Sequence, residues 1–286
     1  MSAISQKSAP MARAQRYLVA AICVLVITLM LGPMVLSFFA SIKTPAEASA
    51  SPPNYLPHSL SGENYGKILD YQAGLSTYAG NSFLVAAIAI VLCLVLAVPA
   101  GYGLARFRLP FKELIFVLML APLMIPYQAL LIPIYLNFSK IGLANSHLGL
   151  AIVHAVLQLP FSIYLMRNAF EAIPREIEEA ALIDGATSFQ VLRRIFLPLV
   201  MPGVVTVMLF TFINSWNEFL AALIFMNKES SFTVPIMLVS VRTGRLGAVD
   251  WGALQAGVIV SVLPCILIYV LLQKYYVSGF LNGAVK

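Results

Sequence analysis

In a chain that is mostly apolar, one segment concentrates residues able to do recognition chemistry. It runs Glu179-Ala180-Ala181-Leu182-Ile183-Asp184-Gly185 and continues through Arg193, Arg194 and Ile195 to Leu197-Pro198. A carboxylate such as Glu179 can form a charge-assisted pair with a basic group on a partner. Ala180 and Ala181 let a neighbouring backbone come close, which larger side chains prevent. Gly185 suits a sharp left-handed stop, where a β-branched residue would be strained. These types fit docking, and catalytic patterns are missing. The sequence holds no Gly-x-x-x-x-Gly-Lys-Ser/Thr loop to cradle phosphates. It also holds no Gly-x-Ser-x-Gly, His-Glu-x-x-His or Cys-x-x-Cys, so a nucleophile or metal site is not indicated.

The elements that position this segment can be read locally. Pro174 fits the first turn of a helix, where its missing N–H costs nothing. Ile177, Ala180 and Ala181 recur at helical spacing and predict a narrow small-residue face. Thr187 or Ser188 can cap a second helix whose Phe189, Leu192, Ile195 and Phe196 share one side. Pro198 turns the chain again. Two short helices around a glycine predict a compact knob that presses into a groove on another protein. A helix-turn-helix uses a similar plan, but a nucleic-acid reader wedged between membrane spans is not a sensible reading.

Hydrophobic residues make up 60% of the 286 positions and charged ones 10%, and mean hydropathy is +0.89. A soluble domain carries about 25% charge, so the composition indicates a polytopic membrane protein. Six charge-free stretches are long enough to cross ~30 Å of hydrocarbon with about 20 residues each. They fall within 17–42, 71–105, 114–139, 141–166, 195–217 (continuing past Glu218) and 251–273. The polar, basic segment 1–16 precedes them. With the N-terminus inside, Lys7, Arg13, Arg16, Arg106, Arg108, Lys112, Arg167, Arg175, Arg193, Arg194, Lys274 and Lys286 lie inside. Lys43, Lys67, Lys140, Lys228, Arg242 and Arg245 lie outside, which accounts for all eighteen basic residues. The two-to-one bias puts both termini and the Glu179 loop in the cytoplasm. It also reads the net charge of +6 as a membrane-topology signal, with no nucleic-acid partner. Cys23, Cys93 and Cys265 each sit in an apolar run and read as buried small hydrophobes.

Within the spans, Pro122, Pro126 and Pro133 predict one face of the third turned toward other helices or a wet pathway, packing kinks being the alternative. Ala86, Ala87, Ala97, Gly101 and Gly103 predict close helix approach along the second. Polar residues are few: His154 and Gln158 on the fourth, then Asn214, Asn217 and Glu218 on the fifth, with Trp216 as an interfacial anchor. Asn214 and Asn217 are candidate pathway contacts, since amides can hydrogen-bond hydroxyls without a charged group's desolvation cost. The run Phe232 to Val241 is too short to span, and is expected to lie on the membrane surface or dip partly inward.

The order Glu179-Ala180-Ala181, Gly185, Ile195, Leu197-Pro198 resembles the EAA loop of bacterial ABC importer permeases. Gly101-Tyr102-Gly103-Leu104-Ala105-Arg106-Phe107 and Trp216-Asn217-Glu218-Phe219-Leu220 extend the resemblance. The likeness is nearest to the carbohydrate-type subfamily, that of the G subunit of the maltose importer. It implies an all-α type I importer fold with six transmembrane helices over 17–286, and a cytoplasmic coupling loop at 170–198. Glu179, Ala180, Ala181, Asp184, Gly185, Ile195, Leu197 and Pro198 would couple it to an ATPase dimer. ATP and Mg would sit on those partner subunits and no cofactor on this chain. A second permease subunit, an extracytoplasmic solute-binding protein and a sugar-like solute complete the expected set, in the bacterial inner membrane. The outer loop Asn227 to Asp250 would reach the binding protein, and the tail Gly279 to Lys286 the ATPase dimer. The competing reading, an ion-gradient-driven secondary transporter, calls for ionisable residues at mid-membrane and inverted repeats, and neither is evident.

Overall fold

A computed structural model describes residues 10–243 and 249–284, with side chains over 15–243 and 249–273. Its regular structure among those residues is helical, without strands. The order is α1 (Pro10–Ser41), α2 (Pro45–Ala48), α3 (Glu63–Leu69), α4 (Leu75–Arg106), α5 (Lys112–Leu120), α6 (Tyr127–Lys140), α7 (His147–Glu171), α8 (Arg175–Ile183), α9 (Ser188–Val191), α10 (Leu197–Leu199), α11 (Met201–Asn217), α12 (Leu220–Phe225), α13 (Val234–Thr243) and α14 (Trp251–Ala284). A 3-10 turn, Ala121–Met124, follows α5, and a π turn, Leu192–Phe196, follows α9.

Two compact units are present. The first comprises 1–68 with 244–260, the second 69–243 with 261–286. In the first, the apolar stretch of α1 buries no residue. Its C-terminal carbonyls find a partner in buried Asn64 on α3, whose amide donates to Ser41 O (3.0 Å) and Lys43 O (2.7 Å). A Cβ at Gly252 would collide with that same Asn64 side chain. Asp250 caps α14 through the Ala253 N–H and pairs with Lys67 at 2.8 Å. Burial alone would raise the Asp250 carboxyl, but the Ala253 N–H and the Lys67 ammonium outweigh it and hold the group below its ordinary value.

The second unit is organised around α4, α7 and α11. Ala86, Ala89, Cys93, Ala97 and Gly101 are buried at three- and four-residue spacing along α4, so two backbones can approach without intervening side chains. The Cys93 thiol donates to Ala155 O of α7 at 3.4 Å, and a Cβ at Gly101 would lie 2.6 Å from the Met166 Cβ and 2.9 Å from the Arg167 nitrogen. Ala87 departs from the expected seam: it is exposed, because position 87 lies on the far side of the helix from 86 and 97.

Four helical stretches are long and apolar enough to cross a membrane: Gln15–Ser41, Leu75–Arg106, His147–Glu171 and Trp251–Gln273. The third and fifth expected spans are broken. Lys112–Met124 and Tyr127–Lys140 meet at 95°, and Ser188–Leu199 and Met201–Asn217 at 75°. Ile125 is extended ahead of Pro126, the conformation a following proline favours. The break removes the common face expected of the three prolines, and Pro133 is exposed. The fifth stretch does not run on past Glu218, whose extended backbone ends α11.

Three other expectations are corrected. Trp216 is buried: its indole N–H donates to Ser261 O at 2.9 Å and its ring stacks on Phe212. Cys23 is exposed on bare α1, and Cys265 is only half-buried. The Phe232–Val241 run forms α13, which packs on α4 and α11 with Val234, Ile236, Met237 and Val241 buried. The Ser82 hydroxyl accepts from the Val234 N–H at 2.9 Å and the Asn81 amide donates to Ser230 O and Phe232 O. Those bonds hold it to the protein in place of a membrane surface.

Candidate functional site: a clamped knob and a polar-walled cavity

The knob folds as its residues suggest. Pro174 precedes α8, and Gly185 adopts φ +85°. A Cβ at Gly185 would meet nothing within 4 Å, so its requirement is conformational, not steric. Thr187 caps α9 in a reciprocal box with Gln190: the Gln190 N–H donates to Thr187 Oγ1 and the Thr187 N–H to Gln190 Oε1.

Its faces differ from the expected pattern. Ala181 is buried in the chain's own core with Val191, Phe196 and Val200, while Glu179, Ala180, Asp184 and Gly185 are exposed. The small-residue face is therefore divided, Ala181 seating the knob and Ala180 facing outward. Phe189 is likewise not on the inner side of the second helix. It is 68% exposed, and Ile183 86%, while Val191 takes the inner place and Leu192 and Ile195 are half-buried. Leu197 is half-buried and Pro198 exposed.

Three residues not picked out for function hold the knob. Tyr102 donates from its hydroxyl to Glu178 Oε1 at 3.0 Å, with Phe107, Phe170 and Phe196 edge-on around its ring. Arg106 donates to the carbonyls of Phe170 (2.5 Å) and Ile173 (2.6 Å) at the end of α7, where a helix leaves acceptors unfilled. Its guanidinium stacks over Phe196, and its Nε lies 3.9 Å from Glu178 Oε2. One arginine thus ties α4, the end of α7 and α8 together. The Gly101–Phe107 motif carried the signal; reading Arg106 only as a topology charge concealed it. Arg167 makes a similar tie, with both Glu113 oxygens and Glu171 as acceptors and Phe116 beneath it.

The second feature is a cavity of about 670 Å³ between the α5–α6 break, α7 and α11. Pro122 and Pro126 line it, as do both candidate amides, Asn214 and Asn217. His154, Gln158 and Glu218 line it too. His154 joins Ser215 Oγ (2.7 Å from Nδ1) and Glu218 Oε2 (3.3 Å from Nε2). Glu218 also accepts from the Ala221 and Ala222 N–H groups at 2.7 and 3.0 Å, capping the first turn of α12. Asn214 donates to Gln158 Oε1 at 2.7 Å, whereas Asn217 donates to Ile213 O of its own helix. Among the described residues no cluster of His, Cys, Asp and Glu suits a metal ion.

Residues 97–280, which contain the knob and the cavity wall, match the model of the binding-protein-dependent transport system inner membrane component. The chain belongs to that permease family. The probable ABC transporter permease YurM of Bacillus subtilis is 39% identical over 81% of this chain and 76% of its own length. The sulfoquinovosyl glycerol transport system permease SmoH of Agrobacterium fabrum is 34% identical over 90% of this chain and 89% of its own. In fold, the chain matches a crystal structure of a bacterial ABC transporter involved in import of the acidic polysaccharide alginate. The TM-score is 0.83, with 24% identity, over 95% of this chain and 100% of that one.

Proposed function

We propose that this chain is one membrane-spanning subunit of an ATP-driven, binding-protein-dependent importer that carries a sugar or sugar-like solute into the cytoplasm. Each bent pair counts as one span, which makes six with the four long helices, and both termini face the cytoplasm of an inner membrane. The observation that carries the reading is the knob: stiff, clamped by Tyr102 and Arg106, and presenting Glu179 beside exposed Ile183 and Phe189. Its partners are a second permease, an ATPase dimer that holds ATP and Mg, and an extracytoplasmic binding protein. Relatives named for sulfoquinovosyl glycerol and for diacetylchitobiose support the sugar class. Glu179, Ala180 and Asp184 contact the ATPase, while Ala181, Gly185, Ile195, Leu197 and Pro198 set the knob's shape. Asn214 and Asn217 contact solute. The exposed start of the outer loop, Asn227 to Ser230, meets the binding protein; residues 244–248 of that loop lie outside the described residues. The tail contact expected of 279–286 falls where side chains are not described, its last two residues outside the described chain altogether.

Gly185→Val tests the coupling role. Valine at φ +85° carries strain of about 1–3 kcal/mol, with no collision to add to it. Membrane insertion should stay normal while complex assembly or ATP-driven uptake falls at least ~10-fold, a change worth about 1.4 kcal/mol. Uptake at the wild-type rate removes the coupling role. Uptake by this chain alone in liposomes, driven by an ion gradient, removes the importer reading.

A further inference from the structure

We propose that Gln158, together with Asn214, forms a hydroxyl-binding subsite contributed by this subunit and selective for uncharged polyhydroxy solutes. The proposal rests on the sugar-importer reading and adds where, and by what chemistry, this chain discriminates among sugars. Gln158 is 8% exposed and lines the cavity. Its Oε1 accepts from Asn214, while its Nε2 has no acceptor within the chain. Burying an N–H donor without a partner is unfavourable, and proteins keep such groups where a function offsets the cost. A hydroxyl oxygen is a suitable acceptor for that N–H. Asn214, exposed on the same wall, retains a carbonyl acceptor and a second N–H donor, so the two amides together offer both donors and an acceptor to a hydroxyl-rich ligand.

Charge sets the class. No lysine or arginine is among the described residues lining the cavity. The cationic form of His154 would be matched by its neighbour Glu218, 3.3 Å away, and the Glu218 carboxylate repels a second anion. The wall therefore offers a uronate or sulfonate no unopposed positive charge, whereas amides serve neutral hydroxyls well. The volume of about 670 Å³ lies in the range that encloses small ligands.

Saturation-transfer NMR on the full chain in lipid nanodiscs tests this, with maltose, trehalose and cellobiose as uncharged probes and glucuronate as the anionic one. The subsite requires transfer to at least one uncharged probe and none to glucuronate. Gln158→Met keeps the side chain's length and removes its N–H donors, and should weaken the apparent affinity at least ~10-fold. Because Met leaves no buried N–H unpaired, the melting midpoint should be unchanged or raised. If Gln158→Met melts lower, Asn214→Ala on the exposed wall must show the same loss of affinity. Undiminished binding in a folded variant, glucuronate bound as tightly as the uncharged probes, or no uncharged probe bound overturns the subsite. Uptake of the same sugars by the assembled importer is measured alongside. Saccharide uptake with undiminished binding in Gln158→Met removes the subsite and leaves the importer reading standing; no saccharide uptake removes both.

Discussion

Helix α7 carries two unlike faces, and each meets its neighbour by a different rule. Toward α4 it presents Ala151, Ala155 and the Met166–Arg167 backbone, and receives Cys93 and Gly101 at van der Waals range. Toward the α5–α6 break it presents His154 and Gln158 to an open cavity. The first face holds by shape: dispersion between closely fitted backbones needs small residues and leaves no room. The second holds by hydrogen bonds that bridge gaps, His154 to α11 and to the α11–α12 break, Gln158 to Asn214. A helix can thus be fixed along one side and remain available to a solute on the other.

The contrast can be broken from either side. Gly101→Leu should have the largest effect, since its side chain meets the α7 backbone with nowhere to go. Overpacking of this kind costs about 3 kcal/mol, to be read as a loss of folded protein and a lower melting midpoint in detergent; a midpoint within a degree of wild type would refute a tight seam. On the opposite face, Glu218→Ala removes the acceptor of two N–H groups and a partner of His154. Its cost is about 2 kcal/mol, concentrated at the α11–α12 break, where amide hydrogen exchange at Ala221 and Ala222 should accelerate while the α4–α7 seam keeps its protection. Equal acceleration in both places would mean that the two faces do not act separately. The smallest effect belongs to Ala87→Leu, one helical position from the seam and exposed; it should change stability by less than about 0.5 kcal/mol, and a large loss would mean the seam extends around α4.

The glycine turn, the Thr187 cap and the small-residue seam were legible because each depends on backbone conformation or contact spacing over a few residues. Phe189 and Ala181 were misassigned for a common reason: periodicity identifies a face but not which neighbour, core or outside partner, it meets. Trp216 looked interfacial because tryptophans often are, and nothing local reveals that Ser261, 45 residues on, supplies its acceptor. The broken rods escaped a hydropathy reading because Pro122 and Pro126 end helices while Pro99 and Pro160, inside α4 and α7, do not. A window average is blind to that difference. Gln158 and Asn214 were noticed separately, on two helices, and only folding brings them to 2.7 Å.

The bare surface of α1 bears on biogenesis. A helix whose apolar stretch buries nothing in its own chain needs no later contact to complete it, and about 20 such residues suffice to partition into a bilayer. It can leave the translocon and settle among lipids while the ribosome is still making α4. The orientation of everything downstream is then committed by the first translated segment, and the glycine seam and the polar cavity assemble against a topology already decided.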